Sequence, residues 1–388
     1  GAYVSRGIAK ERLEDIVGAL TDFNRALEID PLNSEAYQKR GDALVHFGDL
    51  AAAVQDYSRV VELGEPGFEL YLARARAFFG LELYKSAIAD FSKLIALNPA
   101  FAEAYFERAR ARLETGETLG AAADCEEALA RGLAGAEVLV VRASALLKLG
   151  EPERALVEFN RAAAIEPDIA ATHAGRGDAR IQMGDFEGAI TDFSEAISLD
   201  PSEPLYVYGR GSARFRVGDA EGAVKDFDQV LKMDPDFLKG LAARSMARTA
   251  GGDLEGALAD INAALDLRPD TAHLHFVRGQ IHMELENFES AVADFDHFLE
   301  RDPHDVAALG KRGVAKLRMA DFAGAIADFD RTLLIHPDLP DAFYLRAEAQ
   351  MRAGNLELAA ADYTELIRIQ PDNPVPLRAR ATIRANQG

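Results

Sequence analysis

The chain has 388 residues, of which 28% are charged, and its formal net charge is −21 at pH 7. This acidic balance argues against a general nucleic-acid binder, because affinity for a phosphate backbone depends on clustered Lys and Arg. The sequence has no apolar run near the roughly 20 residues that cross a bilayer, and its single Cys excludes an internal disulfide framework. We therefore expect no nucleic-acid partner and no membrane span. The sequence does not determine the cellular compartment, and we expect a soluble, cytoplasmic protein.

The first residues already lie within a helical pattern. The chain begins Gly1-Ala2-Tyr3 without a Met, so a signal peptide or an upstream domain would not be visible in it. We expect the chain to be a fragment of a longer protein.

Prolines mark a strict period along the chain. They are separated by 34 or 68 residues, and the two skipped places hold Glu65 and Leu133. Such self-similarity is typical of a repeat array, in which each unit packs only on its neighbours. The marker prolines are Pro31, Pro99, Pro167, Pro201, Pro235, Pro269, Pro303, Pro337 and Pro371.

Each period holds two helical patterns. In the unit from Ala170 to Glu203, Gly184 and Asp185 separate them, because Gly ends a helix and Asp caps the next one. The first pattern has a small residue in every unit, such as Gly177, and the second has an Ala followed four residues later by a bulky anchor. The Ala residues are Ala19, Ala53, Ala87, Ala121, Ala155, Ala189, Ala223, Ala257, Ala291, Ala325 and Ala359, and the anchors are Phe23, Tyr57, Phe91, Cys125, Phe159, Phe193, Phe227, Ile261, Phe295, Phe329 and Tyr363.

A 34-residue period with two helices and small residues at these places is similar to the tetratricopeptide repeat family. The resemblance implies an all-α fold, a right-handed superhelical α-solenoid of tandem helix-turn-helix repeats, and covers the whole chain as a single solenoid of about eleven repeats over 1–388. Its expected units are 1–33, 34–67, 68–101, 102–135, 136–169, 170–203, 204–237, 238–271, 272–305, 306–339 and 340–373, with a final helix over 374–388.

An Arg and an acid recur in every unit, where the family often has an apolar residue in place of the Arg. A lone charge on an apolar seam is costly, so we predict a ladder in which each acid pairs with the Arg of its own unit and also with the next unit's Arg. The alternative is that both series are solvated. The Arg residues are Arg6, Arg40, Arg74, Arg108, Arg142, Arg176, Arg210, Arg244, Arg278, Arg312, Arg346 and Arg380, and the acids are Asp22, Asp56, Asp90, Asp124, Glu158, Asp192, Asp226, Asp260, Asp294, Asp328 and Asp362.

The resemblance implies a protein–protein interaction scaffold that binds a peptide or partner protein in the concave groove lined by the first helices. One alternative is a substrate-recruiting or regulatory arm of a larger enzyme whose catalytic domain lies outside this fragment. Another is a self-assembling structural module, so self-association is a possible partner interaction. We expect no enzyme activity and no cofactor, because no catalytic constellation or phosphate loop is evident.

Two sets of groove residues are candidates for binding. Aromatic and Met side chains of three successive units could form an apolar pocket; the alternative is that they pack between units. A row of Glu predicts an acidic groove rim suited to a basic peptide, or simply a solvated face. The pocket candidates are Tyr208, Phe215, Met246, Phe276 and Met283, and the rim is Glu35, Glu69, Glu103 and Glu137.

The remaining polar exceptions favour structural roles. His275 and His282 lack the i, i+4 spacing of helical zinc sites, so we expect packing histidines and no metal. Cys125 stands at an anchor place, which predicts an inert buried thiol. The irregular joints 64–67 and 132–135 are predicted to be the softest joints of the array.

Overall fold

A computed structural model describes residues 1–64 and 66–386, without the side chain of Asn386. Over these residues the chain forms 23 α-helices and no β-strand. The helices belong to two compact units, Gly1–Pro201 and Ser202–Gly388. Glu65, in one of the irregular joints, and the last two residues of the predicted final helix lie outside the described residues.

The first compact unit contains twelve helices in six antiparallel pairs. Each helix packs on the next one, and the first helices of most consecutive pairs also touch, as α1 and α3 do. The helices are α1 (Ala2–Arg12), α2 (Ile16–Ile29), α3 (Ser34–Phe47), α4 (Leu50–Glu62), α5 (Phe68–Gly80), α6 (Tyr84–Leu97), α7 (Ala102–Glu114), α8 (Thr118–Ala130), α9 (Ala136–Lys148), α10 (Pro152–Ile165), α11 (Ala170–Met183) and α12 (Phe186–Leu199).

The second compact unit contains the remaining helices in the same arrangement. This alternation confirms the predicted all-α architecture of tandem helix-turn-helix repeats. The helices are α13 (Pro204–Arg216), α14 (Ala220–Met233), α15 (Leu238–Ala250), α16 (Leu254–Leu267), α17 (Ala272–Glu284), α18 (Phe288–Arg301), α19 (Val306–Arg318), α20 (Phe322–Ile335), α21 (Pro340–Arg352), α22 (Leu356–Ile369) and α23 (Pro374–Asn386).

The turn inside a repeat follows from two residues. Gly48 ends α3 with φ of 90°, a left-handed conformation that a side chain would disfavour. Asp49 then caps α4, and its carboxylate accepts a hydrogen bond of 3.0 Å from the backbone N–H of Ala52. A cap of this kind stabilises a helix by about 1 kcal/mol.

Small residues let the two helices of a repeat approach closely. Ala53 is fully buried, and a Cβ placed on Gly41 would lie only 2.6 Å from the ring of Tyr57. The anchor ring therefore fills the space that the small residue leaves. The same arrangement at Gly313 and Phe329 shows why the sequence alternates small and bulky places at this spacing.

The predicted ladder is confirmed within each repeat. In α15 and α16, Arg244 donates two hydrogen bonds to the carboxylate of Asp260, from Nε at 2.9 Å and from Nη2 at 2.6 Å. Asp260 is 4% exposed, so the carboxylate is buried but paired. Equivalent pairs are Arg6–Asp22, Arg40–Asp56, Arg74–Asp90, Arg108–Asp124, Arg176–Asp192, Arg210–Asp226, Arg278–Asp294, Arg312–Asp328 and Arg346–Asp362, with Arg142–Glu158 as a longer pair at 3.5 Å.

The contact between repeats differs from the prediction. Nine of the Arg residues donate a hydrogen bond to the residue two places after the acid of the preceding repeat, and Arg244 Nη1 thus bonds to Asp228 at 2.6 Å. The partner is an acid, an amide or a hydroxyl, because one guanidinium N–H needs only an acceptor. The other pairs are Arg40–Asn24, Arg74–Ser58, Arg108–Ser92, Arg176–Asn160, Arg278–Asn262, Arg312–Asp296, Arg346–Asp330 and Arg380–Thr364.

Candidate functional site

Three cavities lie along the first helices of the unit Gly1–Pro201, and we call this surface the N-terminal groove. The first cavity, about 400 Å³, lies among α1, α3, α4 and α5; the second, about 390 Å³, among α5, α7 and α9; the third, about 300 Å³, among α7, α9 and α11. Arg76 lines the first and second cavities, while Phe106 and Glu137 line the second and third. The cavities are therefore consecutive parts of one surface.

Four of the five polar side chains that line the first cavity are already paired. The hydroxyl of Tyr57 donates a 2.9 Å hydrogen bond to Asp42, and burial together with this carboxylate raises the pKa of Tyr57. Lys39 also lies 3.0 Å from Asp42, and His46 lies 3.2 Å from Glu11. This part of the groove offers a partner mainly its apolar walls.

The second cavity is lined by carboxylates. Glu103, Glu107, Glu137 and Glu166 border it, and Arg76 is the one basic residue in the lining. Of these acids, Glu107 binds Arg110 at 3.0 Å, whereas no ion pair of the other three is found within the described part of the chain. The second cavity therefore carries a concentrated negative charge beside apolar walls.

Arg110, which lines the third cavity, lies near two aromatic rings. The guanidinium carbon of Arg110 lies 4.7 Å from the ring centroid of Phe79 and 5.9 Å from that of Phe106. A cation over an aromatic face is stabilised by the ring quadrupole. The groove thus already holds one guanidinium close to aromatic rings and next to the Glu107 carboxylate.

The predicted acidic rim divides into two parts. All four of its Glu residues are exposed. Glu103 and Glu137 border the second cavity, whereas Glu35 and Glu69 line none of the three cavities. Sequence reasoning missed Glu166, which follows α10, because it lies outside the first helices that the family resemblance points to.

The predicted aromatic pocket is found in two separate clusters. Tyr208 and Phe215 pack against the buried core that contains Phe227, and the ring centroids of Tyr208 and Phe227 lie 5.8 Å apart. Phe276 and Met283 pack against the core that contains Phe295 in another helix pair. These four side chains are partly buried and pack against the cores of their helix pairs.

Met246, the fifth pocket candidate, differs from the other four. It is 44% exposed. It is the candidate whose side chain is most open to a partner.

The histidines take the place of packing aromatics, as predicted. His275 bonds through Nδ1 to Asp294 at 3.0 Å and through Nε2 to the backbone oxygen of Pro269 at 2.9 Å. His173 bonds in the same way to the oxygen of Pro167 at 2.7 Å. Over the described ranges, no group of three His, Cys, Asp or Glu side chains has the arrangement of a metal site.

Cys125 is fully buried at its anchor place. Burial raises the pKa of its thiol to about 12. Because the thiolate is the reactive form, this thiol is chemically inert at neutral pH.

Comparison with known proteins gives matches along most of the sequence. Family models described as tetratricopeptide repeat match residues 23–55, 72–136, 247–312 and 311–374, and a model described as TPR repeat matches 177–218. No curated protein matches the chain.

Solved structures resemble the fold at low sequence identity. The structure titled APC/C hetero-tetramer Cut9-Hcn1 has 13% identity and a TM-score of 0.50, over 97% of this chain and 95% of that one. A tetratricopeptide repeat protein from Parabacteroides merdae has 17% identity and a TM-score of 0.48, over 64% of this chain and 98% of that one. Yeast Tom70 has 17% identity and a TM-score of 0.43, over 100% of this chain and 95% of that one.

No helix among the described residues combines the length and the apolar character that a membrane span needs.

Proposed function

We propose that this chain, which belongs to the tetratricopeptide repeat family, is an interaction scaffold that holds a peptide segment of a partner protein in its N-terminal groove. Three consecutive cavities of about 300 to 400 Å³ support the proposal. Ligand pockets commonly measure about 300–1,000 Å³. The groove also has apolar walls with a few polar groups at its edges, a combination that suits a peptide anchored by one or two side chains.

The regular pairing of charged side chains along the array favours a binding function over a catalytic one. The charged groups that recur in every repeat are paired with one another in the ladder, and Cys125 and His275 are held in structural contacts. Binding specificity then rests on the side chains that vary between repeats. In the unit Ser202–Gly388, Met246 is the proposed contact residue of the aromatic and Met set.

A display library of random dodecapeptides, screened against the whole chain, tests this function. Selected peptides should lose binding when Ala171, an exposed residue lining the third cavity, is changed to Arg. The matched control is Ala51→Arg, which adds the same side chain at an exposed place on the second helix α4. If both variants bind the selected peptides as the native chain does, the groove is not the binding surface.

Changing Tyr208, Phe215 or Phe276 to Ala is a poorer test. Each ring packs on a buried core, and truncating such a ring costs stability through the space it leaves. A loss of binding in those variants would not distinguish a destabilised fold from a damaged binding surface.

A further inference from the structure

The second cavity lies at the irregular joint 132–135, where the sequence differs from the pattern of the other repeats. In most units the second helix ends before a Pro, whereas α8 is followed by Gly132, with φ of 88°, and by Leu133 at the Pro place. Residues 133–135 then form part of the cavity wall. This wall is particular to one joint, so a ligand of this cavity would not be bound equally well by every repeat.

Negative charge dominates this cavity. Its lining holds four carboxylates and one guanidinium. Glu103 and Glu137 are exposed, so their carboxylates carry no cost of burial. A neutral or acidic ligand would leave these charges without a partner, whereas a cation would complement them.

Apolar surface accompanies the charge. Leu133, which is half-buried, and Ala134, which is exposed, contribute to the same lining, together with the small exposed edge of Phe106. A long side chain with an aliphatic stem and a cationic head matches this combination, because such side chains cover apolar surface while the head stays near water and acceptors. Arg110 illustrates the match within the protein, since its guanidinium lies over Phe106 and beside Glu107.

We propose that the second cavity selects a cationic side chain, Lys or Arg, in the peptide segment of a partner protein that lies in the N-terminal groove. This inference rests on the proposed function and names the class of its ligand. The stem of the bound residue contacts Leu133, Ala134 and the exposed edge of Phe106, and its charged head faces Glu103 and Glu137. The apolar walls of the first and third cavities contact the neighbouring residues of the same peptide.

The test uses the whole chain and four fluorescein-labelled heptapeptides, Gly-Leu-Ala-X-Ala-Leu-Gly. X is Arg, its neutral isostere citrulline, Lys or acetyl-lysine, and binding is followed by fluorescence polarisation near physiological salt. We expect the Arg and Lys peptides to bind at least about five-fold more tightly than their neutral counterparts, as charge-assisted hydrogen bonds are stronger than neutral ones. Equal binding of the charged and neutral peptides would overturn the proposal.

Charge-neutralising variants locate the site. Glu103→Gln and Glu137→Gln should each weaken the Arg peptide about five-fold. Glu35→Gln and Glu69→Gln remove the same charge outside the cavity and should change binding less than about two-fold, since the Debye length is about 8 Å in physiological salt. Equal losses in all four variants would mean diffuse attraction to an acidic protein, and would refute a cavity specific for cations.

The library screen separates this inference from the proposed function. If groove-binding peptides are selected that Ala171→Arg abolishes but that contain no Lys or Arg, the function stands and the cation site is wrong. If no selected peptide depends on Ala171, both are wrong. Thermal unfolding by circular dichroism checks that each variant keeps the native fold.

Discussion

Removing one carboxylate of the ladder should distinguish the contact within a repeat from the contact between repeats. Arg244 makes both, to Asp260 in its own repeat and to Asp228 in the preceding one. Asp260→Ala and Asp228→Ala therefore take away different acceptors from the same guanidinium. We expect the first change to be far more damaging than the second.

The magnitudes follow from burial and from the number of contacts. The Asp260 side chain is 5% exposed and also accepts a 2.8 Å bond from Arg248, so its loss leaves two guanidinium groups without their acceptor. Breaking a buried pair by removing one partner costs about 3–5 kcal/mol. The Asp228 side chain is 40% exposed, and exposed pairs contribute about 0.2–1 kcal/mol.

Hydrogen exchange measured residue by residue is the suitable assay, because a repeat array opens locally and its unfolding need not be two-state. Asp260→Ala should lower protection in α15 and α16, and a double-mutant cycle with Arg244→Ala should give a coupling above about 1 kcal/mol. Changing both residues to Leu should recover part of the loss, since an apolar pair replaces a buried ion pair well. Equal effects of Asp260→Ala and Asp228→Ala would refute this reasoning.

Two further predictions concern single positions. Gly175→Ala should destabilise the fold by about 1–3 kcal/mol in thermal unfolding, because its Cβ would lie 2.3 Å from the ring of Phe159. The helical Gly310 has no atom near that position, so Gly310→Ala should instead stabilise by up to about 1 kcal/mol. Burial lowers the pKa of His282, although Asp294 favours its charged form. Because the unfolded chain then binds the proton more readily, stability should fall as the pH drops below about 6.5. His282→Leu introduces the residue that two other repeats have at this place, Leu44 and Leu146. It should weaken the pH dependence of stability in urea unfolding, and an unchanged slope would contradict this prediction.

The repeat itself was readable from the sequence for a physical reason. Each place in the 34-residue period meets the same surroundings in every unit, so the small residue, the anchor and the Arg–acid pair recur and reveal their role. Arg244 and Asp260 were assigned to each other because a charge at an apolar seam needs a partner. The second acceptor, Asp228, was missed because hydroxyl, amide and carboxylate side chains all serve at that place and leave no single residue type to recognise.

The groove shows the limit of such reasoning. Residue types alone do not separate a side chain that packs beneath its own helix pair from one that faces a partner, so Tyr208 and Phe276 were placed in one pocket. The structure assigns them to different cores. Conversely, Glu166 follows a second helix, and only the packing of neighbouring repeats brings it to the border of the second cavity.

The sequence by itself determined the repeat length, the helix pairs, the small-to-bulky packing and the ion pair inside each repeat, because these depend on local spacing and on features common to all units. Only the tertiary structure decided which of the variable side chains share a cavity, since those distances depend on how neighbouring repeats pack. Glu103 and Glu137 looked like two members of a uniform acidic row. Packing sets them apart from Glu35 and Glu69 by placing them beside Phe106 and an irregular joint.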